Sequence, residues 1–213
     1  MADSSTRPGA LITIEGIDGA GKSTQIEPLA AHLRARGHRV VTTREPGATP
    51  LGRELRRLLL ESDVALAPRT ELLLFLADRV EHVRRVIAPA LAAGATVLCD
   101  RFADSTLAYQ GYGREADVAR VRRWDEESRD GIAPDLTLLL DCPLAIAVTR
   151  RRCVADRYQS LDDAFHERVR AGFLALAAAE PMRVRRIDAS GDIAAVRDAI
   201  ARVVDGWLAE RSR

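Results

Sequence analysis

Leu11-Ile12-Thr13-Ile14-Glu15 runs directly into Gly16-Ile17-Asp18-Gly19-Ala20-Gly21-Lys22-Ser23, and this junction decides the fold. The first five residues have strand character, the next eight match G-x-x-x-x-G-K-[ST], and helical periodicity begins at Thr24. Glycines at 16, 19 and 21 let the backbone curl until successive N–H groups point into one concavity. The helix that follows adds its positive end to the same anion site. The expected ATP-binding set is therefore Gly16, Ile17, Asp18, Gly19, Ala20, Gly21, Lys22, Ser23 and Thr24. Lys22 is placed to bridge the β- and γ-phosphates, and the Ser23 hydroxyl to ligate Mg²⁺.

Outward from this loop, strand-like apolar runs recur at 10–15, 39–43, 96–99, 136–140 and 183–187, with helical periodicity between them. That alternation predicts parallel βαβ units and an α/β fold. Between the second and third runs the sequence predicts helices over 51–60 and 68–93, with Pro50 and Pro68 near their starts and Gly94 as a left-handed C-cap. The 213 residues, 47% hydrophobic, read as one domain without linker or repeat. Residues 1–9 are polar and flexible in character. Arginines 150, 151, 152 and 157 interrupt the helical pattern, so about 150–158 is expected to form a mobile lid.

Bulk composition excludes several classes of function. Lys+Arg 32 against Asp+Glu 31 leaves a net charge of +1, too little for a whole-chain field that attracts nucleic acid. No apolar run reaches the ~18 residues that span a bilayer. The three cysteines form no CxxC pair, so neither a disulfide framework nor a zinc site is expected, and a reducing cytoplasm fits. The four histidines lack metal-ligand spacing and are assigned no role.

A phosphate loop alone does not separate kinases from GTPases or motor ATPases. No Asn-Lys-x-Asp element for guanine is present, whereas arginines stand at strand ends: Arg44 in TREPG and Arg101 in VLCDRF. An acceptor that is itself a phosphate needs such fixed cations to offset the repulsion of two anions. Asp100 ends a hydrophobic strand, from which a carboxylate can reach the Mg²⁺ shell. Phe75 and Arg79 are spaced i, i+4 and share one helix face, an aromatic ring beside a cation.

With the phosphate loop, TREPG, LLLFLADR and DRFADSTLAYQGYGR in this order, the chain resembles thymidylate kinase, the dTMP kinase of bacteria, along nearly its full length. The resemblance implies a P-loop NTPase three-layer sandwich with a five-stranded parallel sheet in the order 2-3-1-4-5. It implies that Arg44 and Arg101 hold the dTMP phosphate, Phe75 stacks on thymine, Arg79 reads its O4 edge, and Thr106 and Gln110 make thymine-side polar contacts. Tyr109 occupies the place of the aromatic under the deoxyribose, and Asp18 that of the carboxylate on the 3′-OH. Pro46 matches a proline that is often cis.

Some members of that family carry the catalytic arginine in the phosphate loop, and others in the lid. Here Gly19 follows Asp18, so Arg152, Arg150 and Arg157, in that order, are the expected lid arginines, with Lys22 and Arg101 completing the catalytic set. The reaction implied is ATP + dTMP to ADP + dTDP, with Mg²⁺ as cofactor and a homodimer as the assembly. Two other readings of the residues stay open at this point. One is a deoxynucleoside kinase using Asp18 or Glu45 as base, and the other a P-loop switch ATPase.

Overall fold

The computed structural model describes residues 9–150, 157–159 and 161–211. Ala10–Glu15 (β1) is buried along its whole length, as a central parallel strand covered on both faces must be. Val40–Arg44 (β2), Thr96–Asp100 (β3), Leu136–Asp141 (β4) and Val184–Asp188 (β5) complete a five-stranded sheet in the order β2-β3-β1-β4-β5, with every pairing parallel. This is the expected order. β2 and β3 each run one residue further than the apolar pattern shows, because Arg44 and Asp100 pair in register at the end of the two strands.

The helices are Lys22–Arg34 (α1), Pro50–Arg56 (α2), Pro68–His82 (α3), Ala88–Ala92 (α4), Ala103–Thr106 (α5), Val118–Ser128 (α6), Leu144–Arg150 (α7), Asp163–Ala179 (α8) and Ile193–Arg211 (α9). Pro50 opens α2 behind Thr49, whose Oγ1 accepts the Gly52 N–H at 2.9 Å. The single helix expected over 68–93 winds through a wider π turn at Val83–Ile87 and ends at Ala92, with Gly94 left-handed at φ 72°. A π turn at Arg57–Glu61 likewise continues α2, and another, Leu107–Gly113, continues α5 and carries Tyr109 and Gln110.

Alternation along β1 distributes its side chains between two layers. Ala10, Ile12 and Ile14 join the cluster that includes Leu29 and Leu33 of α1, Val169 of α8 and Val204 of α9. Leu11 faces the opposite cluster, with Val83, Ile87 and Phe102. Helices therefore cover both faces, and the free edge at the carboxyl ends of the strands is left for ligands. Among the described residues no helix is long and apolar enough to cross a membrane.

One close approach sets the position of the Tyr109–Gln110 segment. A Cβ added at Gly172 of α8 would lie 2.7 Å from the Tyr112 ring, and one at Gly113 would lie 2.7 Å from Phe165. Small residues on both sides thus let α8 and the π turn meet closely. Gly172→Ala is expected to lower stability by about 1–3 kcal/mol through overpacking, read as a lower urea midpoint at unchanged slope; an unchanged midpoint would show that the two segments are not held apart by this contact.

Candidate active site

The loop after β1 has the backbone its glycines dictate, with Gly16, Gly19 and Gly21 at φ 140°, 90° and 93°. α1 begins at Lys22, two residues earlier than the periodicity suggests, and its N-terminal N–H groups face the loop's concavity. Lys22 curls back so that Nζ donates to Gly16 O at 2.9 Å and Ile17 O at 2.8 Å. Burial, reinforced by Arg101 nearby, pulls its ammonium down to about 8.

Ser23 Oγ donates to Asp100 Oδ2 at 2.6 Å, which brings a P-loop hydroxyl and a β3 carboxylate together. Asp100 Oδ1 is buried without a hydrogen-bond partner among the described residues. An orphaned carboxylate oxygen beside a hydroxyl fits Mg²⁺, which binds through one or two protein oxygens and keeps waters and substrate phosphates as its other ligands. No group of three His, Cys, Asp or Glu residues that could hold a metal occurs among the described residues.

Arg101 follows β3 in the left-handed region at φ 69°, an uncommon place for a residue with a Cβ. Its guanidinium pairs with Asp18 of the P-loop, and its Nη2 also reaches the Tyr109 hydroxyl at 3.3 Å. Tyr109 in turn donates to Asp18 Oδ2 at 3.1 Å, while its ring lies 5.1 Å below the guanidinium carbon. Burial works against charge on Asp18, yet Arg101 and Lys22 draw its carboxyl down to about 2. Burial pushes the Tyr109 phenol far up, so it stays a neutral donor.

Arg79 sits on the buried face of α3, and four of its five N–H donors are occupied. Nε and Nη2 donate to Glu45 Oε2 at 2.9 and 2.6 Å, and Nη1 donates to Thr106 Oγ1 at 2.9 Å and Asp125 Oδ1 at 2.5 Å. His82, one turn on, holds the other oxygen of Glu45 at 2.8 Å and Thr43 Oγ1 at 2.7 Å. Given no role from sequence, His82 is the fully buried group that orients this carboxylate. Despite burial, Arg79 and His82 keep Glu45 below the usual carboxylate range. The Glu45–Pro46 peptide is cis, as the resemblance implies.

Phe75 lies on the same face of α3, its ring centroid 6.1 Å from that of Tyr158, and Tyr109 meets Tyr158 edge-on at 5.5 Å. Gln110 Nε2 donates to the Tyr158 hydroxyl at 2.9 Å and to Glu71 Oε1 at 3.2 Å. Tyr158 and Ser105 are cleft-lining residues that sequence reasoning passed over, and Glu45, weighed there only as a base, is instead the partner of Arg79. Tyr158 gave one available signal, a single aromatic at the end of the charged stretch after Arg150.

One cleft of about 1330 Å³ joins these parts, running from Arg44, Phe75 and Arg79 past Asp18 and Arg101 to the P-loop and the 191–194 turn. A single small-molecule pocket measures roughly 300–1,000 Å³, so the space suits two ligands. Asp18 to Thr24, Arg44, Phe75, Arg79, Asp100, Arg101, Thr106, Tyr109, Gln110 and Arg150 all line it. Gly16 and Ile17 lie behind the loop's inner surface as acceptors for Lys22.

The lid arginines are distributed differently from the expectation. Arg150 is the last residue of α7 rather than part of a lid loop, and its guanidinium holds three carbonyls of the turn after β5: Ala189 at 2.6 Å, Ser190 at 2.8 Å and Gly191 at 2.8 Å. Arg157 donates to the carbonyls of Ser62 at 2.9 Å and Val64, and is not among the residues lining the cleft. Arg152 lies outside the described residues, as do 151 and 153–156.

Residues 14–200 match the sequence model of the family described as Thymidylate kinase. The chain is 48% identical over 205 residues to the thymidylate kinase of Geobacter sulfurreducens, covering 92% of this chain and 96% of that one. It is 50% identical over 212 residues to that of Desulfovibrio desulfuricans, covering 95% and 98%. Its fold is similar to the crystal structure of thymidylate kinase from Ehrlichia chaffeensis, with a TM-score of 0.75 and 35% identity over 92% of this chain and 98% of that one. Sequence and sheet order agree: the chain belongs to the thymidylate kinase family and is a phosphotransferase that phosphorylates dTMP.

Proposed function

We propose that the protein transfers the γ-phosphoryl group of ATP to the phosphate of dTMP by holding both nucleotides in the one cleft. The observation that carries this reading is the contact between Arg101 and Asp18, which sets the acceptor-side arginine directly against the P-loop. ATP lies with its phosphates in the loop 16–24, and Lys22 exchanges its two carbonyl acceptors for phosphate oxygens. Arg150 holds the 189–191 turn that walls the ATP end of the cleft. Ser23 and Asp100 hold Mg²⁺, which when bound neutralises charge on the triphosphate.

On the acceptor side, Arg44 and Arg101 take the dTMP phosphate, and Arg101 leaves Asp18 in part as Asp18 turns to the sugar 3′-OH. Tyr109 packs under the deoxyribose, where a ring disfavours a 2′-hydroxyl. Phe75 stacks on the base. The one N–H of Arg79 not used internally donates to thymine O4, and an amino group at that position, as in cytosine, would present a donor to a donor. Thr106 and Gln110 complete the polar edge. Arg152 is assigned the charge of the transferring group, with Arg101. The protein's work is alignment, charge neutralisation and exclusion of water.

The two competing readings are not favoured. A deoxynucleoside kinase needs a carboxylate base, and Asp18 and Glu45 are both held in arginine pairs that depress their basicity. A switch ATPase has no use for a second, arginine- and aromatic-lined half of the cleft. We further assign a homodimer, for which the exposed Leu73 and Val80 on the outer face of α3, seven residues apart, supply an apolar stripe. Cys99 and Cys142 are free and buried, in keeping with a cytoplasmic setting.

A coupled assay with ATP, Mg²⁺ and dTMP, dUMP, dCMP, dGMP or thymidine is expected to give dTMP the highest kcat/KM; preference for thymidine would sink the reading. Arg101→Ala is expected to raise KM for dTMP and to lower kcat by roughly 10²–10³-fold, as for loss of a group that meets developing charge. A KM for dTMP unchanged in this variant would remove the acceptor site. The ammonium form of Lys22 is the one that binds phosphate, and it is lost as pH rises through about 8. Thus kcat/KM for ATP should fall on the alkaline side of that value and hold below it; a flat profile to pH 9 would show that Lys22 stays charged.

A further inference from the structure

Glu15 is the last residue of β1 and is completely buried, yet it is not among the residues lining the cleft and has no part in the phosphate chemistry above. Burial, with Asp104 nearby, pushes its carboxyl up to about 8. A buried acid is costly unless its oxygens are satisfied, and an aliphatic residue would suit the end of a central strand better. The contacts that Glu15 makes show what it is for.

Oε1 accepts the Phe102 N–H at 2.7 Å, the peptide immediately after Arg101. Oε2 lies 2.5 Å from Ser105 Oγ, and the same Oγ accepts from Arg101 Nη1 at 3.1 Å. The peptide on the other side of Arg101 is held as well, its N–H donating to Ile14 O at 3.1 Å. Arg101 is thus tied to β1 before and after its Cα, in a left-handed conformation that persists only where the surroundings over-determine it. Its guanidinium is steadied by the hydroxyl that Glu15 holds. The bond to Ser105 survives either protonation state of Glu15, since only its direction reverses.

We propose that Glu15, acting through the Phe102 peptide and the Ser105 hydroxyl, is a positioning residue that aims Arg101 at the acceptor phosphate. The inference rests on the reading of Arg101 as a dTMP-phosphate ligand. It makes β1 a support for both phosphate sites: Gly16 onward cradles the donor, and Glu15, one residue earlier, sets the acceptor arginine.

The test is steady-state kinetics of Glu15→Leu, Ser105→Ala, Ser105→Thr and the Glu15→Leu/Ser105→Ala pair, with KM for dTMP and for ATP measured separately. Glu15→Leu, which can bond neither the Phe102 peptide nor the Ser105 hydroxyl, and Ser105→Ala are each expected to raise KM for dTMP about tenfold, the size of one lost hydrogen bond to a charged group. KM for ATP should stay unchanged, Ser105→Thr should restore the wild-type value, and the double variant should add less than about twofold to either single. Equal rises in both KM values, full additivity, or a lower melting temperature with neither KM altered would each overturn the proposal. If Glu15→Leu does not fold, Ser105→Ala and Ser105→Thr decide it by the same split. Arg101→Ala separates the two levels: no effect of that variant on KM for dTMP removes the acceptor reading itself. A large effect there, with none from Glu15 or Ser105, removes the positioning role alone.

Discussion

One ion pair, Arg101 to Asp18, joins the end of β3 to the loop after β1, and with it the two halves of the cleft in which the proposed function sets two phosphate-bearing molecules. Both strands are central and in register, Ile14 opposite Asp100, so the distance between the two sites is set by the sheet rather than by a flexible loop. Neither group titrates near neutrality: Asp18 is drawn down to about 2, and Arg101 is held charged by Tyr109, Asp18 and Asp100 against its burial. The pair therefore persists across the working range of pH.

A second charged network surrounds Arg79, the residue that the proposed function sets against the base. Arg79, Glu45, Asp125 and His82 are all buried, and a buried pair adds little net stability compared with apolar packing. Its value is geometric. Four of the five donors on Arg79 are fixed, so the remaining one points in a single direction, and recognition of an acceptor gains from a donor that does not have to be ordered on binding. α3 supplies the spacing for this arrangement, with Phe75, Arg79 and His82 on one face at intervals of four and three.

The legible parts of the molecule were those whose cause is local. Glycines at 16, 19 and 21 are required by the backbone they adopt, and the strand–helix alternation gave the layers, the sheet order following from the family resemblance. What stayed hidden depends on distance along the chain. Arg79 finds its partners 34 and 46 residues away, and no periodicity could couple Glu45 or Asp125 to it. The π turn at Leu107–Gly113 breaks the 3.6-residue period, so the facing of Tyr109 and Gln110 came from family resemblance and not from pattern. Glu15 was hidden for a different reason: it reads as the last residue of the strand Leu-Ile-Thr-Ile-Glu, and nothing local shows that its carboxylate turns inward to partners 87 and 90 residues away.

Gly19 links the two halves of the catalytic problem. Its φ is 90°, and a Cβ built there would lie 2.1 Å from Ala147 O in α7, so both the backbone and the neighbouring helix exclude a side chain at this position. An arginine at position 19 is therefore not merely missing from the phosphate loop but has no room in it while α7 keeps its place. Since α7 ends at Arg150, the helix that closes off the loop also delivers the chain to the arginine-rich stretch beyond. The P-loop glycine is thus a consequence of one packing contact, and an arginine placed in the loop would have to move α7 with it.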